Sequence, residues 1–517
     1  MNPASPFLSA CQENPDRLAI VELNGQQITG GELLHRVYGL AEHLRSLGVS
    51  KGDRVLVQVP PGIDLSITML AVLWVGGVVV LLESGVGDQI YSERVQQIAP
   101  KWLLIHNKLQ WVHRLWGMRW LLANFDIDVP PIPDVEQMQI ITLTNRELSL
   151  STQDSTPTSV TDTDDVIIVF TGGTTSAPKC VRYSCAALEG FLAHIHLAIG
   201  DRPIERFLAD TPPQVLYAIQ MGYTAYVNKG RKLKRALSML KLIETGTIDA
   251  CFTSPYLWME LIKANKVSSL PDSLHTIMLG SAPVTPRFLQ QLKDCTSTNT
   301  QILCIYGMTE VGVITVVEAT DKIAWRGEGD LVGKPISTIT VELNTSDHTS
   351  DVGEIVVHSP SLYTGYLGRE PRQLDQGLAT GDLGRWEMIN DQKMLVLAGR
   401  IKDMIIRNGF NIYPQTFETQ LTTTLNQEQQ IVHQSALVGV WNPQREDEDV
   451  VLFVEWTSSD RPSLDWLHKK ATLVCGHQVA PDHIFGLEQF PVTGRQNKLD
   501  KKALRIYAEQ QLGRDEG

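Results

Sequence analysis

A chain of 517 residues is longer than one hydrophobic core usually serves, which predicts two or more domains. With 58 acidic against 45 basic side chains, the net charge of -13 disfavours nucleic acid and anionic membrane surfaces as general partners. The seven cysteines form no CxxC pair and no His/Cys cluster with zinc spacing, which predicts a reducing, cytoplasmic setting and no structural metal.

In chain order, "MNPASPFLSACQENPDR" has neither a basic n-region nor an apolar h-region, so a signal peptide is not expected. "TGGELLHRVYGLAEHLRSLG" carries Leu33, Val37, Leu40, Ala41 and Leu44 at helical spacing, and Gly48 stops this helix before the strand "DRVLVQV". The longest apolar stretch, Ile67 to Leu82, is broken by Gly76 and Gly77 and is too short for a membrane span. It reads as a buried helix running into the strand "VVVLLE". Such alternation predicts parallel-sheet α/β layers. "NKLQWVHRLWGMRWLLAN" at 107–124 interleaves Trp111, Trp116 and Trp120 with Lys108, Arg114 and Arg119. It predicts a helix packed on the sheet, the other reading being a helix lying on a membrane surface.

A polar linker at 151–165 leads into the strand "DVIIVF" and then "FTGGTTSAPKCV", Phe170 to Val181. A strand, a Gly/Thr loop and one lysine suit a phosphate cradle, in which backbone N–H groups approach closely and an ammonium adds charge. The spacing is not that of G-x-x-x-x-G-K-[ST], and an ordinary surface turn is the competing reading. The basic run "KGRKLKR", Lys229 to Arg235, reads as a solvated surface or as a dock for the phosphates of CoA or a carrier's pantetheine arm. "RGEGDLVG" at 326–333 has the wrong glycine spacing for a dinucleotide fold. From 330 onward short strands such as "ITVEL" and "GEIVVHS" predict a β-rich subdomain, and the part after "KMLVLAGRIKDMII" a small α+β domain.

Four more stretches follow the loop: "GSAP" (Gly280–Pro283), "YGMTE" (Tyr306–Glu310), "TGDLG" (Thr380–Gly384) and "GRIKDMIIRNGFNIYP" (Gly399–Pro414), with "PVTGRQNKLDKKAL" near the end. In this order they resemble the adenylate-forming superfamily of acyl-CoA synthetases, peptide-synthetase adenylation domains and luciferases, over nearly the whole chain. The resemblance implies an α/β fold: a large N-terminal adenylation domain, 1–400, of stacked sheets with a β-rich subdomain, and a small mobile C-terminal lid, 403–517. It implies ATP-dependent activation of a small carboxylic acid to an acyl-adenylate with release of pyrophosphate, then acyl transfer to the thiol of CoA or of an acyl or peptidyl carrier protein. ATP and Mg²⁺ are the implied cofactors.

By resemblance, Thr171, Gly173, Thr174, Thr175 and Lys179 hold the β- and γ-phosphates, Thr174 also standing near the metal. Gly280, Ser281, Ala282 and Pro283 line the adenine and acyl pocket; Tyr306 stacks on adenine beside Gly307 and Met308. Thr309 contacts the α-phosphate and Glu310 holds Mg²⁺. Asp382, helped by Arg400, accepts from both ribose hydroxyls, since a carboxylate can accept two bonds side by side. Lys402 marks the hinge, Gly409 the thiol tunnel, and Lys498 is the catalytic lysine that neutralises charge between the two approaching anions.

The chain departs from the family at several positions. Gly172, Ser176 and Cys180 replace the usual Ser, Gly and Gly; Asn497 precedes the terminal lysine where glycine is usual; and Val215 stands where many relatives carry histidine. Stretches such as "TPPQVLYAIQMG" and "GRQNKLD" are similar to β-lactone synthetases of olefin biosynthesis, so closure of an adenylated β-hydroxy acid is the alternative product. A nucleotide-binding homologue without catalysis is the second alternative.

Overall fold

The computed structural model describes the chain apart from residues 83–87, 116–117, 119–121, 123–128, 171–178, 229–231, 283, 346–350, 371, 373–375, 408–409, 428–430, 446, 459–460, 494–497 and 515–517. The helix read from apolar spacing runs Gly30–Ser46, with Leu33, Val37, Leu40, Ala41 and Leu44 all fully buried. Thr29 starts it with a capping box, its side chain and that of Glu32 each serving the other's backbone N–H. The next helix, Ile63–Trp74, buries every residue but Asp64, and leads as expected into the strand Val78–Leu81. That strand lies parallel to Arg54–Gln58 and Asp165–Phe170 in a seven-stranded sheet.

A thirteen-stranded sheet forms the second layer. Its middle is parallel: Ala250–Thr253 lies between Arg206–Ala209 and Thr276–Leu279, and the last of these pairs with Gln301–Met308. Beyond Gln301–Met308 the strands turn antiparallel. The strand Asp330–Pro335 pairs on one side with Gly312–Glu318 and on the other with Gln392–Arg400, so the β-rich region continues this sheet. No helix among the described residues is long and apolar enough to cross a membrane.

The small C-terminal part has a three-stranded sheet, Val432–Asn442, Asp447–Trp456 and His483–Leu487. Helices Pro414–Leu425, Leu464–Val479 and Lys501–Gln511 pack on it. Leu421, Leu437 and Leu452 belong to one core cluster, and Val438, Phe453 and Leu504 to another. Thr416 ties this part to the large sheet, its hydroxyl donating to the Ala398 carbonyl at 3.2 Å.

Two sequence readings gain detail. The helix Asn107–Arg114 packs on the sheet as expected, but it fully buries none of its residues, and Trp111 is 58% exposed. Leu109 makes the contact, packing partly against a core cluster; Trp116, Arg119 and Trp120 lie outside the described residues. The polar linker is tied to the N-terminal segment and to Trp74. Asn2 donates to the Thr158 carbonyl at 2.8 Å, Thr158 N–H to Trp74 at 3.0 Å and Val160 N–H to Met1 at 2.7 Å.

Candidate active site

The strand Thr276–Leu279 delivers "GSAP" to the carboxyl edge of the parallel strands. A side chain at Gly280 would press on the Phe252 ring, and Ser281 sits at φ +72°, a left-handed conformation that non-glycine residues adopt only under local constraint. Ser281 and Ala282 line the cleft below; Pro283 lies outside the described residues.

"YGMTE" ends the strand Gln301–Met308 and turns into Gly312–Glu318. The ladder shifts register between Tyr306 and Gly307, and a Cβ on Gly307 would overlap the Gly312 carbonyl oxygen, so only glycine permits this close approach. The turn buries Glu310 to 5% exposure. Its Oε1 accepts from the Tyr366 hydroxyl at 2.8 Å. Tyr366 arrives on the short strand Gly365–Tyr366, paired with Cys180–Ser184. Lys179 stands over the Tyr366 ring, its Nζ 4.7 Å from the centroid and 3.4 Å from the hydroxyl. No spacing signal marks Tyr366, a lone aromatic in "TGYLGRE".

The Glu310 turn is held from behind. His194 is 1% exposed, with Nδ1 3.1 Å from the Val311 carbonyl and Nε2 2.8 Å from Ser361 Oγ. Burial holds this imidazole below its ordinary pKa of 6.5, so near neutral pH Nδ1–H donates and Nε2 accepts. Neither His194 nor Ser361 was predicted, since a histidine inside an apolar helix shows nothing of what it reaches.

"TGDLG" and "GRIKD" lie on adjacent antiparallel strands, Leu378–Ile389 and Gln392–Arg400, with Asp382 directly opposite Arg400. Arg400 Nε lies 2.8 Å from Asp382 Oδ1, and the Tyr306 hydroxyl donates to Oδ2 at 2.8 Å. Burial, then the adjacent Asp382 carboxylate, raise the Tyr306 phenol well above its ordinary range and keep it a donor. Beyond Arg400 a single 3₁₀ turn, Ile401–Asp403, carries Lys402, which is exposed. Partial desolvation, then Arg400, still lower its ammonium pKa.

Lys498 begins the short strand Lys498–Leu499, opposite Thr493 and exposed. With Lys179, Ser281, Glu310, Asp382, Arg400 and Lys402 it lines one continuous cleft of about 3760 Å³. Tyr306, Gly307, Met308 and Thr309 line it too. Thr171, Gly173, Thr174, Thr175 and Gly409 lie outside the described residues. The Cys180 side chain is buried in a core cluster, where desolvation pushes the thiol up to about 12.

The basic run also differs from expectation at its end. Arg235 lies 2.8 Å from Asp210 Oδ1, and Asp210 is 7% exposed at its side chain, so this arginine is not a free surface charge. Lys229 lies outside the described residues.

The chain matches the family model described as AMP-binding enzyme over residues 7–367. It is similar to the 2-succinylbenzoate--CoA ligase of Bacillus cereus, 25% identical over 424 residues that cover 79% of this chain and 80% of the relative. Among solved structures it resembles the amide bond synthetase McbA from Marinactinospora thermotolerans, with a TM-score of 0.81, 22% identity and coverage of 98% of this chain and 99% of that one. It also resembles the o-succinylbenzoate CoA synthetase of Bacillus subtilis, at 19% identity. That enzyme was solved with its acyl-adenylate intermediate, at a TM-score of 0.76 and 97% coverage of each chain. A second structure holds ATP and a magnesium ion, at a TM-score of 0.75 and coverage of 96% of this chain and 98% of that one. At these identities the structures establish the shared fold, an α/β architecture with a large and a small C-terminal domain, while the family match spans well over half the chain. The chain therefore belongs to the AMP-binding enzyme family, as an acyl-adenylate-forming ligase.

Proposed function

We propose that the chain activates an apolar carboxylic acid with ATP, releasing pyrophosphate, and passes the acyl group from the adenylate to the thiol of CoA. The observation that carries this reading is the convergence of Lys179, Glu310, Asp382, Lys402 and Lys498, from distant parts of the sequence, on one cleft. Attack of a carboxylate on the α-phosphorus brings two anions together, so fixed cations and dipoles must neutralise them.

The groups present suit that task. Asp382, its oxygens oriented by Arg400 and Tyr306, retains lone pairs for the ribose hydroxyls. Lys179 adds charge at the phosphate side, and Lys498 serves the attacking carboxylate and the α-phosphate. Thr309 contacts the α-phosphate, while Ser281 and Ala282 border adenine. Among the described residues no three His, Cys, Asp or Glu side chains cluster as a metal cage. A single buried carboxylate, Glu310, matches a Mg²⁺ ion that takes its other ligands from water and substrate phosphates. Bound there, the ion would supply positive charge against the phosphates.

Leu188, Phe191, Ile195, Val215 and Phe252 line the same cleft and favour an apolar acid. Asp210, the acidic group nearest this wall in sequence, is balanced by Arg235 and offers no free anion to an α-ammonium group. The names of the curated relatives support CoA as the acceptor and lend nothing to lactone closure. Residues 403–517 are read as a lid that turns about Lys402, with residues 1–400 holding the nucleotide.

The test is pyrophosphate exchange into ATP with a panel of carboxylic acids, followed by mass analysis of products with and without CoA. Acid-dependent exchange and a CoA adduct support the reading. Clear preference for a polar amino acid would overturn the substrate class, and loss of water from a β-hydroxy acid, indifferent to CoA, would overturn the acceptor.

A further inference from the structure

The parallel strands Arg206–Ala209 and Thr224–Val227 end side by side, placing Asp210 and Asn228 at their carboxyl ends. Such strand ends are where open α/β sheets bind ligands. Asn228 is 4% exposed, and both residues line the cleft together with Arg235. Asn228 Nδ2 donates to Asp210 Oδ1 at 3.1 Å, while Arg235 Nη2 approaches the same oxygen at 2.8 Å. The Asp210 N–H donates to Gln214 Oε1 at 2.7 Å, which fixes the backbone at this corner.

Two polar atoms stand out. Among the described residues, Asn228 Oδ1 and Arg235 Nε are both buried and have no hydrogen-bond partner. Turning the Asn228 amide over would not satisfy it, because its carbonyl would then face a carboxylate that can only accept. Native interiors rarely leave such groups unpaired, so an unsatisfied acceptor and donor on two residues that line the same cleft point to a missing partner.

We propose that this corner is a subsite for a neutral group that donates to Asn228 Oδ1 and accepts from Arg235 Nε: a hydroxyl or a secondary amide. The inference rests on reading the cleft as the place of acid activation. A second carboxylate or an ammonium is disfavoured, since Asp210 and Arg235 already balance each other and an added charge would be buried without compensation. Val227, Phe252 and Leu257 also line the cleft and give the group an apolar surround in which its hydrogen bonds count. The group comes either from the tail of the acid or from the amides of the pantetheine arm.

Two assays separate these sources. Pyrophosphate exchange without thiol compares acids that differ by one hydroxyl or amide N–H; thioester formation compares CoA with a simple alkyl thiol. If the acid carries the group, the wild type prefers the polar acid by about 10-fold or more in kcat/KM, and Asn228→Leu brings that ratio towards one. Asn228→Ser, a smaller acceptor, retains part of it. If the pantetheine carries the group, the same collapse appears only in the preference for CoA. Discrimination untouched by Asn228→Leu in both assays, in a variant whose melting temperature matches the wild type, overturns the subsite. Absence of exchange with every acid tested overturns instead the reading of the cleft on which it rests.

Discussion

Tyr366 donates its hydroxyl to Glu310 Oε1 at 2.8 Å, so one oxygen of this buried carboxylate is already engaged. In the proposed function the other takes part in holding the cation. Tyr366→Phe keeps the ring under Lys179 and removes only this bond, whose net worth is about 1 kcal/mol. We expect the Mg²⁺ concentration for half-maximal pyrophosphate exchange to rise by about 5-fold with little change in maximal rate. An unchanged Mg²⁺ dependence would detach Tyr366 from the metal carboxylate.

Glu310→Gln and Lys498→Ala should both impair adenylation, by different routes. The first keeps the shape but loses the charge that attracts the cation, so excess Mg²⁺ should partly restore activity. The second removes a charge needed as the two anions meet, and should lower the exchange rate by about 10²-fold without rescue by Mg²⁺. Wild-type exchange by Lys498→Ala would remove that lysine from the mechanism.

His194 should make the protein sensitive to mild acid. Its folded pKa lies below the ordinary 6.5, so the unfolded chain binds a proton more readily. The stabilising contribution is complete above about pH 6.5 and is lost as pH falls towards the folded value. Asn in its place can still donate to the Val311 carbonyl but does not titrate. Between pH 6.5 and 5 the melting temperature of His194→Asn should therefore fall less steeply than that of the wild type; equal slopes would contradict the neutral, buried imidazole.

Gly307→Ala would set a methyl group against the Gly312 carbonyl, forcing apart the two strands that present Tyr306 and Glu310. A loss of about 2 kcal/mol or more is expected in denaturant unfolding, with adenylation reduced as well. An alanine variant of wild-type stability would show that these strands can separate freely.

Several features were legible in the sequence because they depend on near neighbours along the chain. The helix Gly30–Ser46 follows from apolar residues at helical spacing with Thr29 and Glu32 at its start, and the buried helix Ile63–Trp74 from the apolar run that begins at Ile67. The nucleotide motifs were equally visible, since each is a short string whose order along the chain survives divergence. Contacts between segments were not. Nothing near Tyr366 indicates Glu310 as its partner, nor does anything near Arg235 indicate Asp210, because strand pairing and helix packing choose those partners. Charge alone misled at Arg235, and the exposure of Trp111 on a helix that does pack on the sheet was not legible, since burial is set by what the rest of the fold places opposite a side chain. The sequence by itself determined the family and the residue types its chemistry requires; only the tertiary structure decided which groups are already paired and which, like Asn228 Oδ1, are buried without a partner among the described residues.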